Sequence, residues 1–129
     1  MESKSSVKLT FNFNDPDLTP EELDEYAQRL LAELKDVDEV ETVNRVLDPN
    51  PPEGNKALGA ILVGLLTAEV NAKNAKRVFG FLSDRLGGKA IELEVEVNGN
   101  SKKIQVKAQS REELEVAMKL AQDFITASA

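Results

Sequence analysis

The chain has 129 residues, 41% of them hydrophobic and 30% charged, a size and balance that suit one globular domain with its own core. It contains no histidine and no cysteine, which removes the commonest general base, the thiol nucleophiles, disulfides and the usual transition-metal ligands. The net charge is −7, with 5 Phe, 1 Tyr and no Trp, so neither a phosphate backbone nor stacked bases find a matching surface, and no nucleic acid is expected as partner.

Glu2 to Ser6 reads as a polar tail, residues 1–6, ahead of a single α/β domain over 7–127. No apolar leader follows Met1 and no thiol is present, so a cytoplasmic location is the expectation. Val7, Leu9, Phe11 and Phe13 alternate with Lys8, Thr10 and Asn12, the period of a half-buried strand. Asn14-Asp15-Pro16-Asp17 ends it. Thr19-Pro20-Glu21-Glu22 is a capping box with proline at the first helical position. The helix it opens carries Leu23, Tyr26, Ala27, Leu30 and Leu34 on one stripe and runs to about Lys35.

A second strand follows from Glu39 to Val46, where Val40, Val43 and Val46 recur every three residues, a spacing that a bulge or an edge position reconciles. Strand, helix, strand predicts a right-handed parallel crossover between the first two strands. Asp48 to Gly54 holds three prolines and serves as a rigid connector.

The stretch Ala57 to Ala68 is apolar throughout and leads without punctuation to Leu86, which predicts one long helix over 55–86. Such a helix would measure about 48 Å, against a diameter of roughly 36 Å for a globule of this length. It must therefore bend or protrude, and Asn71-Ala72-Lys73-Asn74 is its weakest segment. Ile91, Leu93, Val95 and Val97 alternate with Glu92, Glu94 and Glu96. Ile104, Val106 and Ala108 alternate with Lys103, Gln105 and Lys107. Asn98-Gly99-Asn100-Ser101 joins them as a hairpin. The register that pairs Val95 with Ile104 also sets Glu96 opposite Lys103 and Glu92 opposite Lys107. Ser110-Arg111-Glu112-Glu113 caps a last helix with Leu114, Ala117, Met118, Ala121, Phe124 and Ile125 in line. The order β-α-β-α-β-β-α predicts a two-layer α/β sandwich, with a four-stranded mixed sheet and helices mainly on one face.

Little here carries chemistry. No Ser stands in a Gly-x-Ser-x-Gly elbow, and Gly59-x-x-x-x-Gly64 lacks the lysine of a phosphate loop. Asp15 with Asp17, and Asp36 with Asp38, read as polar turns before they read as metal ligands. Catalytic, cofactor and metal residues are accordingly expected to be none, and the protein is not expected to be an enzyme.

The apolar helix instead suggests association. One of its faces meets the sheet, while the reverse face carries Leu58, Leu62, Val63, Leu66 and Val70, with Phe81 nearby. A helix apolar all round is buried on both sides or lies in a membrane, and a run of about a dozen residues is short of the roughly 20 needed to span. The other two helices of the chain could cover this face; the sharper expectation is a homo-oligomer, most simply a two-fold dimer, that Leu62→Asp with Leu66→Asp would convert to a folded monomer.

Val43-Asn44-Arg45-Val46, the proline-rich loop, Gly54-Asn55-Lys56-Ala57-Leu58-Gly59-Ala60, an apolar helix, a helix ending Phe81-Leu82-Ser83-Asp84-Arg85-Leu86 and the strand pair together resemble the effector-associated constant component family. The resemblance covers about two-thirds of the chain and implies a small noncatalytic α/β component of bacterial conflict or defence systems. It transfers no catalytic residue. The resulting expectation is a noncatalytic adaptor or scaffold that associates through the central helix. The alternatives are a small-ligand sensor and a membrane-peripheral component using that helix with Lys73, Lys76 and Arg77.

Overall fold

The computed structural model describes residues 6–47, 61–86, 89–97 and 102–128. Its elements are β1 (Ser6–Phe13), α1 (Pro20–Lys35), β2 (Val40–Leu47), β3 (Ile61–Asn71), a 3₁₀ turn (Ala72–Asn74), α2 (Ala75–Leu86), β4 (Ile91–Val97), β5 (Lys102–Ala108) and α3 (Arg111–Ser128). The strands form one five-stranded sheet in the order β2-β3-β1-β4-β5, antiparallel at every pairing. The 3₁₀ turn aside, β1 to β4 follow the split β-α-β-β-α-β arrangement, with β5 and α3 added at one edge.

Three expectations about the sheet are corrected. It has five strands, and it is antiparallel rather than mixed. The strands β1 and β2 do run the same way, each antiparallel to β3, but β3 lies between them, so they are not neighbours. The segment expected as the first half of a long helix is the fifth strand: Ile61 to Asn71 is β3, and helix begins only at Ala75. Residues 57–60 lie outside the described residues.

The physical reason is visible along β3. Leu66, Ala68 and Val70 are buried, while Thr67 is only half-buried and Glu69 is exposed, a period of two rather than 3.6. The strand occupies an interior position between β2 and β1, and from Leu66 to Val70 it pairs with both. An interior strand next to a covered face reads as a continuous apolar run. Asn71 ends it, its side chain accepting from the Lys73 N–H at 2.8 Å to start the 3₁₀ turn. The break thus falls at the weak Asn71 to Asn74 segment, with strand rather than helix before it.

One face of the sheet supplies the core. Val7, Leu9, Phe11 and Phe13 of β1 and Ile91, Leu93, Val95 and Val97 of β4 are buried beneath the helices. From α1 come Ala27, Leu30 and Leu34; α2 adds Ala75, Val78, Phe79, Leu82 and Leu86; α3 adds Leu114, Ala117, Met118, Ala121 and Ile125. Each CH₂ moved out of water contributes about 0.8 kcal/mol, so the regular apolar stripes of these elements dominate the stability. The opposite face of the sheet bears Lys8, Thr10, Asn12, Glu92, Glu94, Glu96, Lys103, Gln105 and Lys107, none of them buried.

Local signals fix the ends of the helices. The Thr19 hydroxyl accepts from the Glu22 N–H at 3.1 Å and the Glu22 carboxylate accepts from the Thr19 N–H at 2.9 Å, the reciprocal box expected of that sequence. At α3 the Ser110 hydroxyl accepts from the Glu113 N–H at 3.2 Å, while the Glu113 carboxylate reaches one residue further back, to the Gln109 N–H at 2.7 Å. Between β4 and β5 the register pairs Val95 with Ile104, Glu96 with Lys103 and Glu92 with Lys107, as the charges predict. Lys107 approaches Glu92 at 3.6 Å, and Lys103 turns diagonally to Glu94 at 3.4 Å. The connecting turn lies outside the described residues.

Candidate functional site

Of the carboxylates weighed as metal loops, Asp15 has a local partner. Asp15 accepts from the Asp17 N–H at 2.9 Å, a side-chain turn that leads into α1. Asp36 ends α1, its N–H donating to Glu33 and Leu34. Among the described residues no three metal-ligating side chains gather.

The residues expected to form one apolar association face are dispersed. Leu66 and Val70 are completely buried in the chain's own core and are not available to a partner. Leu62 and Phe81 are half-buried, and the Arg85 guanidinium lies 4.9 Å above the Phe81 ring. Val63 is exposed, and Leu58 lies outside the described residues. The face itself was a product of the helical reading: residues four apart share a side of a helix, but on a strand Val63 and Val70 point oppositely.

Among the described residues two of the larger concavities combine with exposed side chains. The first is a groove of about 510 Å³ along α1, lined by Pro20, Glu21, Asp24, Glu25, Gln28, Arg29 and Val63. Its one inward-reaching carboxylate is already engaged. Arg45, only 12% exposed, forms an ion pair with Asp24 and also donates to the carbonyls of Leu65 at 3.0 Å and Leu62 at 3.3 Å. The Gly64 N–H donates to the same carboxylate at 3.2 Å. The hydrogen bond from Arg45 holds the Asp24 carboxyl below its ordinary pKa, helped by the Gly64 N–H and the guanidinium charge and opposed by burial. This cluster fastens β2 and β3 to α1.

The second place is the flank of α3 against β5. Val116 and Leu120 are 61% and 49% exposed, and being four residues apart they stand on the same side of the helix. Between them and β5 runs a groove of about 430 Å³, floored by Val106 and Ala117, with Gln105 and Lys107 on the strand side and Glu112 and Glu113 at the helix start. Among the described residues β5 pairs only with β4, so every second residue directs its backbone N–H and C=O outward.

The two edges of the sheet differ. On the β2 side the register slips twice, between Val40 and Thr42 and between Arg45 and Leu47, and Arg45 turns inward. Bulges and inward charges are devices that blunt an edge. The β5 ladder runs through seven consecutive pairs without a shift. Sequence reasoning missed this site because Val116 and Leu120 fall off the apolar stripe of α3. Their signal was two large apolar side chains four residues apart on the polar side of an otherwise well-patterned helix.

No protein-family description, curated protein or solved structure matches the chain. Among the described residues no helix is long and apolar enough to cross a membrane.

Proposed function

We propose that the chain is a noncatalytic association module that binds a protein partner along the flank formed by α3 and β5. The observation that carries this reading is the pairing of an exposed apolar couple, Val116 and Leu120, with a regular strand edge that is unpaired among the described residues, on the same groove. Apolar side chains supply burial and the strand supplies hydrogen-bonding groups, the two ingredients of a strand- or peptide-receiving surface. A two-fold dimer through the face of Leu62, Val63, Leu66 and Val70 is not proposed, because Leu66 and Val70 belong to the chain's own core. The resemblance to effector-associated constant components suits a chain whose task is to accompany another protein.

The test is reconstitution. A complex isolated with the chain from its native cells is rebuilt from the two purified proteins. The double variant Val116→Asp, Leu120→Asp is expected to abolish it while unfolding at the same temperature as the parent. A complex that survives both substitutions, or a chain that forms none, overturns the reading.

A further inference from the structure

Resting on the association reading above, we infer that the partner contributes an extended strand, alternating acidic and apolar residues, that adds to β5 as a sixth strand. The argument comes from the charge order across the open face of the sheet. Register places Glu69 beside Lys8, Lys8 beside Glu96, and Glu96 beside Lys103. Acid and base therefore alternate strand by strand from β3 to β5. Glu92 likewise stands opposite Lys107, although β1 offers Asn12 in that row and the intervening Glu94 faces Gln105. The series stops at β5, where Lys103 and Lys107 reach back to Glu94 and Glu92 yet stay 59% and 72% exposed. The neighbour that continues it sets carboxylates opposite Lys103 and Lys107, four residues apart, as Glu96 and Glu92 of β4 already do on the other side, with Glu94 between them facing Gln105.

The inner side of the added strand meets different chemistry. Residues pointing beneath α3 reach Val116 and Leu120, and the floor there is Val106. Glu112 and Glu113 border the same groove from the helix and repel a carboxylate that faces inward. Acids are thus accepted on one face of the incoming strand and apolar side chains on the other, which sets its register as well as its composition.

A second copy of this chain is a poor occupant. The outward side chains of β5 are Lys103, Gln105 and Lys107, so antiparallel self-pairing sets lysine against lysine or against glutamine and never against an acid. Edge lysines of this kind discourage sheet-to-sheet self-association while leaving an oppositely charged strand free to bind.

A blocked peptide of valine alternating with glutamate, matched to the 7 residues of β5, is the probe, with a valine–lysine peptide as its control. Binding is followed by fluorescence anisotropy on the full chain, and amide hydrogen exchange locates the new protection. The glutamate peptide is expected to bind about ten-fold or more tightly than the lysine peptide at low salt, protecting β5 amides. Lys103→Glu with Lys107→Glu is expected to reverse the preference. Equal binding of the two peptides, no binding of either, or protection elsewhere than β5 overturns the inference. Should the reconstituted complex dissolve with Val116→Asp and Leu120→Asp yet ignore the charge reversal, the strand inference falls and the association reading stands.

Discussion

Arg45 of β2 and Asp24 of α1 form an ion pair that ties the blunted edge of the sheet to the first helix. The same guanidinium donates to two carbonyls of β3, and the same carboxylate accepts from the Gly64 N–H. Replacing Asp24 by Asn leaves Arg45 largely buried without its counter-charge and is expected to cost about 1–3 kcal/mol at pH 7. Because the Asp24 carboxyl is held below its ordinary pKa, its contribution is fully present above the unfolded-state value and is lost as pH falls through the folded-state one. The stability gap between parent and Asp24→Asn is therefore expected to close below about pH 4. Urea unfolding of both proteins from pH 2 to 7 measures it; a gap that widens on acidification contradicts the pairing.

Gly64 lies where β3 departs from its partner, between the pairs Leu47 with Ile61 and Arg45 with Leu66. Its φ is +76°, and a Cβ placed there would stand 2.8 Å from the Phe13 carbonyl oxygen. Both facts act against any side chain: the left-handed conformation is costly for an L-residue, and the obstructing atom is backbone. Gly64→Ala is expected to lose about 2–4 kcal/mol, and the loss should exceed that of Gly80→Ala, where a Cβ meets open space. Gly80 sits within α2, so alanine there is expected to gain about 0.5–1 kcal/mol. Opposite signs in a thermal denaturation series are the result to look for.

The strand assignment of 61–71 separates two neighbouring valine and leucine positions. Leu66 is completely buried and Val63 is 47% exposed. Leu66→Ala is expected to cost about 2–5 kcal/mol, and Leu66→Asp to prevent folding outright, since a carboxylate there has no partner. Val63→Asp should remain within about 0.5 kcal/mol of the parent. On a solvent-facing helix the pair Leu62→Asp, Leu66→Asp would yield a folded monomer; on β3 it yields an insoluble or unfolded chain. Circular dichroism of the single variants decides between the two.

What the residues disclosed and what they concealed follows from how local each signal is. The capping box at Thr19, the alternation of β1, the β4–β5 register and the stripe of α3 are each set by side chains within a few residues, and the structure carries them where the pattern places them. Strand β3 depends on neighbours far away in sequence. Its pairing with β1 joins Ser6 to Asn71 and Asn12 to Leu65, contacts that no local pattern announces. Ala68 and Gly64 also lower its apparent strand character, and the apolar Leu65 hides the alternation just where it would have been read. The association site was concealed for the opposite reason: its parts, β5 and α3, were each recognised, but an open sheet edge exists only once the strand order is known.

Val116 and Leu120 offer a last check, because a residue kept for binding need not stabilise the fold that presents it. Both are exposed on α3 and neither belongs to the core cluster. Valine is moreover a poor helix former, its branched Cβ losing rotamer freedom against the preceding turn. Val116→Lys is therefore expected to leave the isolated chain unchanged or to stabilise it by a few tenths of a kcal/mol, and Leu120→Lys to change it by less than about 0.5 kcal/mol. Loss of partner binding at unchanged or raised stability would separate recognition from folding at these two positions. A cost of about 2 kcal/mol or more in either variant would instead mark the side chain as part of the packed core, and the groove beside β5 would lose its apolar wall.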